Sequence, residues 1–147
     1  GVRSSLGVDI VSNYSGDMFA PMRLALQAAR AEENLAFQAR GRAPRAVRLK
    51  AHDALELATR EGAVAAGLGN QVGTIEVGKQ ADLALFTLDD LRFSGAGDPL
   101  AALVLCGAHR ADRVMIGGQW RVLDGSPVGV DVAALRASHG AAALRFL

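Results

Sequence analysis

Ser4-Ser5-Leu6-Gly7-Val8-Asp9-Ile10-Val11 is a short apolar run, β-branched toward its end, in which polar and apolar positions do not alternate. That texture predicts a strand buried on both faces, as in a parallel sheet, and not a half-exposed one. Its one ionisable residue, Asp9, stands at the carboxyl end and is followed by the polar turn Ser12-Asn13-Tyr14-Ser15-Gly16. Catalytic groups of α/β folds gather at the carboxyl ends of parallel strands, so Asp9 is the candidate for chemistry. The competing reading is a turn or capping aspartate. A buried carboxylate stays ionised only beside a metal, a cation or several donors.

Working outward, a helix is predicted from about residue 17 to 40, with Asp17 as cap, Met18, Met22, Leu26 and Ala29 on one stripe, and Gly41 as the stop. Pro21 falls in or near its first turn, where a missing N–H does least harm. Residues 41–50 read as a basic, solvated connection. Two helical pieces follow, residues 53–61 and 63–66, parted by Gly62, with Leu55, Ala58 and Ala65 on the apolar side. From Gly69 the texture changes to short strand candidates punctuated by glycine, residues 73–77 and 82–87. Asp98-Pro99 opens a brief helix over residues 100–105 in the favoured cap-then-proline order. Residues 113–116 and 119–123 flank Gly117-Gly118, a hairpin turn that allows positive φ at both positions. Asp131 caps a last helix reaching about residue 145, with Leu135 and Leu144 on its apolar side. The order is strand, helices, small β unit, helix. A whole barrel or doubly wound sheet needs more strands than this.

Composition narrows the class. The chain has 147 residues, 50% hydrophobic and 21% charged, with a formal charge of +1, which excludes overall disorder and argues against a dedicated nucleic-acid binder. The lone cysteine, Cys106, excludes an internal disulfide or a cysteine zinc cage, fits a reducing, cytoplasmic setting, and reads as a packed thiol. No apolar run approaches the ~20 residues of a membrane span.

Two patterns are decoys. Gly73-Thr74-Ile75-Glu76-Val77-Gly78-Lys79 fits seven positions of a phosphate-binding loop, but Gln80 stands where Ser or Thr must hold Mg²⁺, and a strand follows where a helix must open. No nucleotide site is expected there. His52, His109 and His139 are far apart in sequence and form no His-x-His pair, so each reads as a surface or satisfied residue.

Several segments together carry a resemblance. Leu6-Gly7-Val8-Asp9, Ser12-Asn13, Asp17-Met18-Phe19 and Met22-Arg23-Leu24-Ala25-Leu26 resemble the last barrel strand and following helix of the amidohydrolase superfamily. The branch is that of the aminohydrolases and chlorohydrolases related to cytosine, guanine and S-adenosylhomocysteine deaminases. Residues 54–63 with Leu68-Gly69, residues 72–83, Asp98-Pro99, residues 114–118 and Asp124-Gly125 continue it in order. The resemblance implies an α/β chain: the end of a (β/α)₈ barrel of a metal-dependent hydrolase, plus part of a small β-sandwich. It implies one divalent metal, zinc or iron, in the complete enzyme, with Asp9 at the metal as proton shuttle. Ser12 and Asn13 match polar positions that would orient Asp9 through hydrogen bonds.

The chain departs from that pattern as well. It lacks the His-x-His pair and the other histidine ligands, Ile10-Val11 is bulkier than the family's small residues, and Lys50 replaces a threonine cap. The expectation is therefore a fragment: residues 1–68 from the end of the barrel, 69–130 from the sandwich, and 131–147 a terminal helix. It would hold no metal alone, since Asp9 needs the missing histidines, and would be inactive by itself. The complete enzyme would act on carbon–nitrogen bonds of a small cyclic molecule, with neither nucleic acid nor membrane as partner. Homo-oligomerisation, or self-association through an exposed barrel edge, is expected. The alternative is a non-catalytic binding or assembly module that keeps the β unit.

Overall fold

The computed structural model of the chain describes residues 4–11, 15–107 and 110–146. Helix α1, Phe19–Gln38, is the longest element, 20 residues and about 30 Å. It starts two residues later than the sequence suggests, because Asp17 caps from outside: its carboxylate accepts the Ala20 N–H at 2.8 Å. It ends as expected. Gly41 takes φ 64°, and the Arg42 N–H reaches back to the Phe37 carbonyl at 3.0 Å, the bond of a glycine-terminated helix.

Helices α2, Ala51–Ala58, and α3, Arg60–Ala65, are parted at Thr59 (φ −124°, ψ −89°) and not at Gly62. The Thr59 hydroxyl donates to the Leu55 carbonyl at 2.7 Å, the back-bonding by which Thr bends a helix. Asp53 takes the Lys50 N–H at 2.7 Å, so α2 begins two residues before Asp53. The Lys50 ammonium has no lone pair and cannot return the bond.

These helices make the core. Phe19, Met22 and Leu26 from α1, Ala51 and Ala54 from α2, and Val104 are buried together. Leu26, Ala54 and Val104 are fully inaccessible. The stripe read from Met18, Met22 and Leu26 is thus the face that packs. Leu55 and Ala58 lie against the same cluster, whereas Ala65 is exposed.

Asp98 caps α4, Pro99–Ala102, accepting from the N–H groups of Leu100 and Ala101, both at 3.0 Å. The chain then widens into a π-turn, Leu103–Gly107, so the helix foreseen over residues 100–105 is α-helical for only part of its length. Cys106 lies in this turn and is exposed, not packed. The wider turn brings Val104 and Gly107 inward and leaves Cys106 outside.

Four strands form one antiparallel sheet among the described residues, in the order β1-β2-β3-β4: Leu83–Leu85, Arg113–Ile116, Gln119–Leu123 and Ser126–Pro127. The hairpin β2–β3 has the bounds read from the sequence, and its turn glycines take φ 56° and 78°. A second turn, Asp124-Gly125, has φ 48° and 69° and adds the two-residue edge strand β4, where proline is tolerated. Phe86, next after β1, meets Phe19 edge-on with ring centroids 5.3 Å apart, joining the sheet to the helical core. The Asp112 carboxylate accepts the Thr87 N–H at 2.5 Å, which holds its pKa below the usual 3.8.

Three expected elements differ. Residues 4–10 form no ladder with any described strand; their one backbone tie is Leu6 N–H to the Leu57 carbonyl at 3.4 Å. Residues 73–77 are not a strand: Ile75 is 88% exposed, and the segment folds into turns closed by Gln80 N–H to the Gln71 carbonyl at 2.8 Å. β-branched residues favour a strand only where a neighbour pairs with it. The last helix α5, Val132–Ala143, is capped by Asp131 through the Ala134 N–H at 2.9 Å, but buries none of its residues, and Leu135 and Leu144 lie open. No described helix is long and apolar enough to cross a membrane.

Candidate functional site

Asp9 ends the extended segment in a left-handed conformation, φ 57°. Aspartate tolerates this region better than most residues, yet the conformation is unfavourable by of order 1–2 kcal/mol. Asp9 is exposed, as are Ile10 and Val11, so the carboxylate expected at the tip of a buried strand here borders open surface. The cause is the missing ladder: with no strand on either side, nothing covers the segment's outer face. Leu6 alone packs against the core. Ser12 and Asn13 lie outside the described residues, as does His109.

A Cβ on Gly16 would stand 3.6 Å from the Val11 side chain, so Val11 and Gly16 lie close in space. Ser15 donates its hydroxyl to the Asp17 carboxylate, and the Asp17 N–H returns to Ser15 Oγ at 3.4 Å. The Ser15 bond is the main reason the Asp17 carboxyl lies below its ordinary value of 3.8; partial burial opposes it, while the Ala20 N–H, the Arg23 charge and the Phe19 N–H add to it.

Among the described residues, those around Asp9 do not make a metal centre. Among the described residues one group of potential ligands converges: His52, Asp53 and Glu56, with donor atoms within 4.8 Å of one another. Asp9 is not in it. The sequence signal is a His and a Glu four apart on the first turns of α2, with Asp53 beside the histidine. Both carboxylates already have partners, Asp53 the Lys50 N–H at 2.7 Å and Glu56 the Arg60 guanidinium at 3.3 Å. A divalent ion of the zinc type needs three or four nitrogen, sulfur or carboxylate donors, and Asp9 alone supplies one carboxylate.

The glycine-bracketed loop is likewise occupied by its own chain. Lys79 Nζ donates to the Gly69 carbonyl at 2.8 Å and the Thr74 hydroxyl at 2.5 Å, with Glu76 at 3.7 Å. No helix follows it; β1 does. Its lysine stitches a turn. His52 and His139 are surface residues.

Comparison with known proteins fits the Asp9 segment into a larger frame. The chain is 48% identical over 144 residues to an 8-oxoguanine deaminase of Pseudomonas aeruginosa, covering 97% of this chain and 29% of that protein. It is 38% identical over 121 residues to a 5-methylthioadenosine/S-adenosylhomocysteine deaminase of Teredinibacter turnerae, covering 81% of this chain and 25% of that protein. Among solved structures it superposes on a zinc-bound adenosine deaminase of Xanthomonas campestris with a TM-score of 0.83 at 32% identity, over 99% of this chain and 32% of that one. On an atrazine chlorohydrolase of Arthrobacter aurescens, in complex with zinc, the TM-score is 0.82 at 29% identity, over 96% of this chain and 30% of that one. The chain thus spans about 29% and 25% of the two curated relatives. The family model for the amidohydrolase family matches residues 1–121, from the Asp9 segment through helices α1–α4 to the β2–β3 hairpin, and this chain belongs to that family.

Proposed function

We propose that this chain is the C-terminal part of a deaminase-type hydrolase that breaks a carbon–nitrogen bond of an amino-substituted ring, and that Asp9 is its proton-transferring carboxylate. The observation that carries the reading is the 48% identity to an 8-oxoguanine deaminase over a span that covers 97% of this chain. Two further relatives bear deaminase names, and a structural neighbour is a chlorohydrolase; all four names describe removal of a substituent from a small molecule.

The chemistry asks little of Asp9 and much of its position. A carboxylate takes a proton from the attacking water and returns it to the departing amine, provided it lies within hydrogen-bond reach of both. Asp9 suits that role by its place: it ends an apolar segment in a left-handed conformation of the kind that clusters at active sites. Ser12 and Asn13 are proposed to orient it. The complete enzyme is read as carrying one divalent metal, zinc or iron, held by histidines outside this chain.

In this reading residues 1–68 close a barrel, residues 69–130 belong to a small β-sandwich, and residues 131–147 are a terminal helix. The surface supports incompleteness. The chain exposes 10746 Å², about 1.5 times the ~7,100 Å² expected of a compact monomer of its 15.3 kDa mass. The isolated chain is accordingly inactive and self-associates, and the complete enzyme works in the cytoplasm on a small molecule.

The test is ammonia release by the complete polypeptide, supplied with zinc or iron, from 8-oxoguanine, adenosine and related aminated rings. Release that is lost by more than about 100-fold in Asp9→Asn is expected. A complete polypeptide that releases no ammonia from any of them favours the non-catalytic module, and an Asp9→Asn protein of undiminished rate removes Asp9 from the chemistry.

A further inference from the structure

Helix α2 faces the core by one side. Ala51 and Ala54 are buried there, and Leu55 and Ala58 lie against the same cluster. At about 100° per residue, His52, Asp53 and Glu56 fall within a single arc that none of those four occupies. His52 is exposed, and the two carboxylate residues are half-buried. One ligand atom from each of the three side chains lies within 4.8 Å of the others. Existing bonds orient the carboxylates without exhausting them. Asp53 receives the Lys50 N–H on Oδ2 at 2.7 Å, and Glu56 meets Arg60 Nη1 through Oε1 at 3.3 Å. Each side chain is thus held by one oxygen and has a second, and partners of this kind fix ligating carboxylates. Arg60 can release Glu56 and stay paired, because its Nε and Nη2 both lie 3.1 Å from Glu61 Oε1. The amino end of α2 carries about half a positive charge, against two negative charges from Asp53 and Glu56.

We propose that His52, Asp53 and Glu56 form a surface zinc site, with the imidazole and the two carboxylates as ligands and water in the fourth position. The donor set selects the ion: imidazole with carboxylates suits zinc, whereas magnesium and calcium take oxygen ligands. All three residues belong to adjacent turns of one helix whose other side is locked into the core, so little order has to be created on binding. The site lies wholly within this chain and does not depend on the role of Asp9. The histidines missing from a centre at Asp9 have no bearing on it.

The experiment titrates zinc into the 147-residue chain and follows it by calorimetry and by the imidazole proton resonances of His52 and His139. One zinc per chain is expected, with the His52 resonances shifting and those of His139 unmoved. His52→Ala and Glu56→Gln are each expected to weaken binding by roughly 10- to 100-fold, at least the cost of losing an orienting partner. Asp53→Asn, which keeps the helix cap, should do the same. Circular dichroism is read for every variant, and His52→Ala favours the helix, so loss of fold does not mimic loss of the site. Zinc that fails to bind one to one, or that binds the His52→Ala chain as tightly as the native one, overturns the site. Undiminished binding in both Asp53→Asn and Glu56→Gln overturns the three-ligand set. If the short chain is unfolded by circular dichroism, the zinc content of the complete polypeptide at saturating zinc decides. One zinc fewer is expected in its His52→Ala variant, and equal content overturns the site.

Discussion

Residues 4–11 and the β2–β3 hairpin are both short, apolar and rich in β-branched residues, yet only the hairpin is a sheet. In the hairpin the partner strand is two glycines away, so closing the loop costs little, and the ladder Val114–Val122, Met115–Trp120, Ile116–Gln119 forms with one register shift. Residues 4–11 have one long backbone bond to α2 and no ladder. The difference is availability of a partner and not propensity. The helical core makes its own contacts through Leu26, Ala54 and Val104, and of these two regions only Leu6 packs against it.

That contrast can be broken at several points. The largest effect is expected in the core: Leu26→Ala should destabilise the chain by about 2–5 kcal/mol, read as a lower thermal midpoint by circular dichroism. Val8→Ala in the same 147-residue chain should change it by less than ~0.5 kcal/mol, but in the complete polypeptide by about 2 kcal/mol, when the side chain is covered. Next comes the hairpin turn. Gly117→Val places a β-branched residue at φ 56° and should cost about 1–2 kcal/mol, with loss of β2–β3 amide protection.

Caps give smaller effects that separate packed from unpacked helices. Asp98→Ala should cost about 1 kcal/mol, because α4 feeds Val104 into the core. Asp131→Ala should lower helicity with no shift of the main thermal midpoint, since α5 buries nothing. The smallest effect is a pH dependence. The Asp17 carboxyl is held below 3.8 by Ser15, so the fold favours its charged form. Its contribution is fully present above pH 3.8 and fades as the pH falls through the lower folded value. Urea unfolding of the native chain and Asp17→Asn should therefore differ by a constant amount near neutral pH and converge as the pH is lowered progressively below 3.8.

Much of this was legible in the sequence, for reasons that differ by residue. Asp98, Asp131 and Gly41 announce helix ends because capping is local chemistry between residues two to five apart. Gly117-Gly118 announces the hairpin because few turns need two positive φ values, and Asp124-Gly125 carries the same signal for β4. The break at Thr59 depends on one hydroxyl finding the Leu55 carbonyl, which spacing does not reveal. Residues 73–77 read as a strand because Thr74, Ile75 and Val77 are β-branched, and fail to be one because the Lys79 ammonium closes the loop on itself. Asp9 was legible as a position, through the run that precedes it. Its exposure was not, since burial of a strand is decided by neighbours that its own sequence does not encode.

Amide hydrogen exchange at residues 6–11, measured in the 147-residue chain and in the complete polypeptide, tests the central claim most directly. In the short chain the amides of β2 and β3 should be protected while those of residues 6–11 exchange freely. In the complete polypeptide both groups should be protected. Protection of residues 6–11 in the dilute short chain, or their free exchange in the complete polypeptide, would contradict the account of this segment as a strand waiting for partners from elsewhere in the protein.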